Sequence, residues 1–174
     1  PFLTGGYATI SLGYIGIYEA CRLITGESNT GEHGRVFAMK IMDRLNQAIY
    51  EWRDKHNLGF GLYGTPAESL TNRFSSLDRA RFGIIEDVTD KGYYTNSYHV
   101  SVREEINVFD KFAFESEFQK KSTGGCISYA EIPNMSNNIP AVLTMIQYIY
   151  NNISYAEFNT KSDYCHECGF NGEI

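Results

Sequence analysis

Hydrophobic positions along the chain recur first with the period of a helix. Between residues 34 and 56, Ala38, Ile41, Met42, Leu45, Ile49 and Trp52 return every three or four positions, with Lys40, Asp43, Arg44, Glu51 and Arg53 turned the other way. This pattern predicts an amphipathic helix lying on a sheet. Residues 58–62, with a Gly-Phe-Gly alternation, predict a short buried strand where missing side chains let backbone or ligand come close. A second helix is predicted, signalled by Thr65 to Glu68 and beginning properly at Ser69-Leu70, that runs toward Gly83 with Leu70, Phe74 and Leu77 as its stripe and Arg73, Asp78, Arg79 and Arg81 on its charged face. Residues 93–102, rich in aromatic and β-branched side chains, predict a strand, and residues 108–121 a helix faced by Phe109, Phe112 and Phe118. Gly124-Gly125 breaks the chain, residues 126–132 read as a strand ended by Pro133, residues 138–153 as a helix around Val142, Ile146, Ile149 and Ile153, and residues 155–159 as a last strand. Helices alternating with short strands predict an α/β or mixed architecture, with no internal repeat.

Composition narrows the class. The 174 residues suit one domain or one compact part of a domain, and 43% hydrophobic with 14% aromatic residues supply a sizeable core. A formal charge of −6 argues against a broad nucleic-acid face while leaving room for a local nucleotide site. No apolar run approaches a bilayer span. Cys21 and Cys126 stand alone in apolar segments, a distribution that fits cytosolic usage and a cytoplasmic location. The chain opens on Pro1 without a leader and stops just after a cysteine pair, so it is expected to be a piece of a larger protein.

Two motifs carry candidate chemistry. Thr65-Pro66-Ala67-Glu68 has the form of a helix start, with Thr65 as N-cap, Pro66 at the first helical position and Glu68 reaching back. Such a start is either a self-satisfied capping box or an anion cradle, in which free amides and the helix dipole meet a phosphate, Gly61 and Gly64 permit close approach, and Thr65, Ser69 and Thr71 add hydroxyls. Cys165-His166-Glu167-Cys168, trailed by Gly169 and Gly172, has the shape of a zinc knuckle, although a closed zinc site needs four ligands and a C-x-x-C is also a redox spacing. His33, His56, His99 and His166 show no ligand spacing. Asp87, Asp90, Glu104 and Glu105 are either acid-base pairs or charged loops. Cys21 and Cys126 are either nucleophiles or small buried hydrophobes. Tyr93, Tyr94 and residues 95–99 either line a pocket or form a half-buried strand.

Residues 8–19, Thr65-Pro66-Ala67-Glu68-Ser69-Leu70-Thr71-Asn72-Arg73-Phe74, Asp90-Lys91-Gly92-Tyr93-Tyr94-Thr95-Asn96-Ser97 and the terminal Cys165-His166-Glu167-Cys168 resemble, in that order and nearly end to end, the C-terminal half of the class III anaerobic ribonucleoside-triphosphate reductases. The resemblance implies an α/β fold that is part of the ten-stranded barrel of glycyl radical enzymes, with residues 1–162 in the barrel and residues 163–174 forming the first half of a four-cysteine zinc region. It implies that Thr65, Ala67, Glu68, Ser69 and Thr71 lie at the substrate phosphates and that Cys165 and Cys168 ligate zinc. The thiyl cysteine is implied to lie upstream, with the regulatory nucleotide domain, and the glycyl radical motif downstream, so no catalytic residue is assigned here and the chain alone is expected to be inactive. Reduction of ribonucleoside triphosphates, a radical-SAM activating partner, formate or a thiol system as reductant, and a homodimer of the full-length protein complete what the resemblance implies. A non-catalytic nucleotide-binding module and a zinc-knuckle docking domain are the alternatives.

Overall fold

The computed structural model describes residues 5, 7–64, 66–160 and 163–172. Strand β1 (Thr9–Gly13) leads into helix α1 (Ile17–Thr25) and the long helix α2 (Glu32–His56), which returns the chain to β2 (Gly59–Gly64). β1 and β2 pair in parallel from Thr9 opposite Gly59 to Gly13 opposite Tyr63, as a helical crossover requires. Helices α3 (Ser69–Phe82) and α4 (Val108–Gln119) follow, then the short β3 (Gly125–Cys126), parallel to the end of β2. β4 (Ser128–Ile132) and β5 (Ala156–Thr160) form a second parallel pair across helix α5 (Ile139–Asn152), and β6 (Asp163–Tyr164) and β7 (Asn171–Gly172) close an antiparallel hairpin. The architecture is mixed α/β, as the periodicities predict. Neither β1 nor α1 is among the elements that those periodicities identify.

The core lies where α2 crosses the first sheet. Ala38 and Met42 are fully buried and Ile49 nearly so, packed with Ile17 and Cys21 of α1, Phe60 and Leu62 of β2, and Phe114 and Phe118 of α4. A smaller cluster joins Phe112, Ala130 and Ile153. The glycines of β2 serve this packing. A Cβ on Gly61 would stand 2.7 Å from the Cα of Gly124, and one on Gly64 would stand 2.7 Å from Tyr14 Oη and from a Tyr98 ring carbon. Protein atoms therefore fill the space that both glycines leave, and of the two approaches expected along β2, backbone or ligand, the one seen at Gly61 is the backbone of Gly124.

Two expectations are corrected here. Residues 93–102 form no strand: apart from a single bridge between Ile15 and Asn96, the segment is irregular. Its backbone is satisfied by buried side chains instead, with Asn29 Nδ2 donating to the carbonyls of Tyr98 (3.1 Å) and His99 (3.3 Å), and Glu115 Oε1 accepting from Val100 N (3.1 Å). The stripe of α3 is also reversed in role. Leu70, Phe74 and Leu77 are exposed, while Thr71 and Ser75 face inward.

Candidate functional site

A cavity of about 570 Å³ opens beside the carboxyl-terminal parts of the parallel strands. Pro66, just past the end of β2, Ala130 and Glu131 of β4, and Asn159 of β5 contribute to its wall. Ligands of open parallel α/β sheets bind at this end, where connecting loops converge. The irregular segment supplies another wall through Tyr93, Tyr94, Thr95, Asn96 and His99, and Lys111 of α4 contributes an ammonium group.

The expected phosphate residues are only partly gathered there. Thr65 lies outside the described residues. Thr71 lines the cavity, but its hydroxyl donates to the carbonyl of Glu68 at 2.7 Å. Ala67 uses its amide to donate to Asn96 Oδ1 at 2.9 Å. Glu68 and Ser69 are exposed, and among the described residues none accepts a hydrogen bond from their amides. Helix α3 begins at Ser69, where the helix proper was expected to start, and Glu68 stands before it at φ 42°, with no side-chain cap bond of its own. The expected bond from Glu68 back to Thr65 lies outside the described residues.

A buried imidazole lines the cavity, and a buried carboxylate holds Lys111 of its wall. Glu115 is fully buried, accepts from Lys111 Nζ at 2.6 Å, and leaves Oε2 without a donor. His99 places Nδ1 2.8 Å from the carbonyl oxygen of Asn96 and Nε2 3.0 Å from that of Ile127. Burial pushes the His99 pKa below its ordinary value, opposed by the Glu115 carboxylate. A neutral ring can donate to only one of those carbonyls. Of the two readings of residues 93–99, pocket lining is the one the cavity bears out, through Tyr93, Tyr94, Thr95, Asn96 and His99, whereas no motif points to Lys111.

Other candidates resolve into structural roles. Asp87 pairs with Arg22 and, at 3.5 Å, with Arg103, while Asp90 pairs with Arg103 at 2.9 Å. The Arg103 hydrogen bond holds the Asp90 carboxyl below the usual carboxylate range. Cys21 is buried, donates to Gly34 O at 3.3 Å, and is pushed up to about 11 by burial; burial also raises Cys126. Both behave as small hydrophobes.

Cys165 differs. Its amide donates to Phe170 O and its carbonyl accepts from Gly169 N, both at 2.9 Å, within the β6–β7 hairpin, and Gly169 takes φ 73°. The amides of Cys168 and Glu167 point at its sulfur and lower its pKa. That geometry suits a metal-binding thiolate, yet no group of three or more His, Cys, Asp or Glu side chains capable of holding a metal occurs among the described residues.

Comparison with known proteins gives this arrangement a context. Residues 2–174 match the profile of the family described as anaerobic ribonucleoside-triphosphate reductase. The proteins of that name from Salmonella typhimurium and Enterobacteria phage T4 are 44% identical over 171 residues and 39% identical over 169 residues, each match covering 97% of this chain. These matches cover 24% and 26% of the relatives, so the chain spans about a quarter of their length. Among solved structures, an anaerobic ribonucleotide reductase superposes with a TM-score of 0.76 at 22% identity, covering 95% of this chain and 26% of that one. The Thermotoga maritima enzyme with MES in its active site gives 0.75 at 22% identity, covering 95% and 28%. With a family profile matched almost from end to end, this chain belongs to the anaerobic ribonucleoside-triphosphate reductase family.

Proposed function

We propose that this chain is the part of an anaerobic ribonucleotide reductase that helps to seat the substrate's polyphosphate, and that the whole protein reduces ribonucleoside triphosphates to deoxyribonucleoside triphosphates. The observation that carries the reading is the cavity at the carboxyl ends of the parallel strands, walled by Pro66 and Thr71 beside a helix start whose Glu68 and Ser69 amides no described residue occupies. Such amides, aligned with the helix dipole, favour an anion. The chain's own residues bind and orient here. Ser69 offers an exposed hydroxyl, Lys111 a cation, and Tyr93 and Tyr94 apolar walls. Thr65, Ala67, Glu68, Ser69 and Thr71 form the phosphate-side turn in this reading, with Ala67 acting through Asn96.

Residues 1–162 belong in this reading to a ten-stranded barrel, and residues 163–174 to the first half of a four-cysteine zinc site. Cys165 and Cys168 would hold the metal, and the hairpin amides at the Cys165 sulfur support that role. Zinc there supplies structural cross-linking. Radical chemistry rests on a glycyl radical and a thiyl cysteine carried by other parts of the protein, installed by a radical-SAM activating partner, with formate or a thiol system as reductant. The full-length protein is proposed to be a cytoplasmic homodimer.

Calorimetric titration of the parent reductase with a ribonucleoside triphosphate tests the site. Ser69→Ala should weaken binding about tenfold, the scale of one hydrogen bond to a charged group. An unchanged Kd would remove the polyphosphate from this turn. The isolated chain, incubated with the activating partner, should form no deoxynucleotide.

A further inference from the structure

The turn before α3 is held by a strap, and Glu68 makes no side-chain cap bond. Residues 91–96 run along the amino-terminal half of α3 and bond to it repeatedly: Asn72 Nδ2 donates to Gly92 O (2.8 Å), Tyr94 N to Thr71 O (3.1 Å), and Tyr94 Oη to Asp78 Oδ2 (2.8 Å). The last bond of the series is Ala67 N to Asn96 Oδ1. On its other side the strap is anchored in the core. Glu19 Oε1 accepts from Thr95 N and Thr95 Oγ1, both at 2.8 Å, and from Lys91 Nζ, while Gly16 N donates to Thr95 O at 2.9 Å. Both side chains of the Glu19–Lys91 pair are buried, so the anchor is shielded from water.

We infer that Asn96 is a positioning residue for the substrate's polyphosphate: held in place by Glu19, Lys91 and Thr95, its carboxamide oxygen takes the Ala67 amide and fixes the turn at the cavity mouth. The inference rests on the polyphosphate reading above. Two features make the role more than structural. Asn96 itself lines the cavity, so the group that holds the turn also faces the ligand space. Its acceptor is neutral, which serves an amide beside a polyanion without adding a like charge; an aspartate would keep the acceptor and add that repulsion.

The experiment uses the activated parent reductase carrying Asn96→Ala, Asn96→Asp or Ser69→Ala, with inorganic tripolyphosphate as competitive inhibitor. Asn96→Ala should raise both the nucleotide KM and the tripolyphosphate Ki about fivefold with kcat held, and Asn96→Asp should raise them about tenfold or more. A variant that merely folds less well loses kcat through its active fraction and leaves KM and Ki in place. Wild-type KM and Ki in Asn96→Asp would overturn the inference, because a purely structural acceptor is restored by aspartate. If Ser69→Ala shifts Ki and neither Asn96 variant does, this inference alone falls; if Ser69→Ala also leaves Ki unchanged, the polyphosphate reading falls with it.

Discussion

The Glu19–Lys91 ion pair is buried on both sides. The Lys91 side chain is 0% exposed and that of Glu19 4%, with Nζ and Oε1 2.5 Å apart. Glu19 Oε1 also takes both donors of Thr95, while Oε2 is buried with no donor. Removing one partner from such a pair costs about 3–5 kcal/mol, because the other charge is left buried and unpaired. Lys91→Met keeps an apolar chain against Tyr18 and Tyr93, whose ring centroids lie 4.4 and 5.4 Å from Nζ, but strands the carboxylate. Glu19→Gln keeps the oxygen that Thr95 and Lys91 share but removes the charge that compensates the buried ammonium. Each single variant should therefore lose about 3 kcal/mol, which is about 1.5 M in urea midpoint at about 2 kcal/mol per molar. The double variant should lose less than the sum by about 1–3 kcal/mol. Urea unfolding followed by the fluorescence of Trp52, the one tryptophan, which packs 5.8 Å from Phe60, reads all three. Single losses under about 1 kcal/mol, or strictly additive ones, would refute the reasoning.

Thiol reactivity should rank the cysteines: at pH 7 iodoacetamide should label Cys165 well before Cys126 and Cys21, since hairpin amides lower the first and burial raises the other two. Peptide mass spectrometry over a time course checks the order, and equal rates at Cys21 and Cys165 would contradict it. His99 should contribute to acid lability. Its folded pKa lies below an unfolded value of about 6.5, so the unfolded chain binds the extra proton, and stability is held above that pH and lost as pH falls below it. His99→Gln should flatten the decline in melting temperature from about pH 6.5 downward, ahead of most carboxylate titration. Gly64→Ala should cost about 1–3 kcal/mol by overpacking against Tyr14, Tyr98 and Ser122, visible as a lower melting temperature. Tyr14 Oη and Ser122 Oγ lie 2.8 Å apart in a hydrogen bond beside Gly64, and an unchanged melting temperature would show that this bond yields freely.

What the sequence made legible, and what it hid, divides by the range of the forces involved. Helix α2 was readable because one period puts Ala38, Met42 and Ile49 on one face, and that face is the one the core buries. Helix α4 was readable although its predicted face divides, Phe118 entering the main core, Phe112 the smaller cluster and Phe109 staying exposed, and Asn107 Oδ1 accepts from Phe109 N and Asp110 N as a local cap. The start of α3 at Ser69 was readable from the turn signal before it, but the bond from the Ala67 amide to Asn96, 29 positions away, was not. Residues 93–102 misled in the opposite sense. Their aromatic and β-branched side chains favour a strand, but Asn29, Glu19 and Glu115 satisfy the backbone where a neighbouring strand would have done so. The same substitution of buried side chains for ladder partners bends Tyr93, Asn96 and His99 toward one cavity, which an extended strand, alternating its residues between two faces, could not do. The departure from the predicted strand is thus what assembles the site: two carboxylates and one carboxamide in the core hold a segment whose other edge bonds to the turn at Ala67.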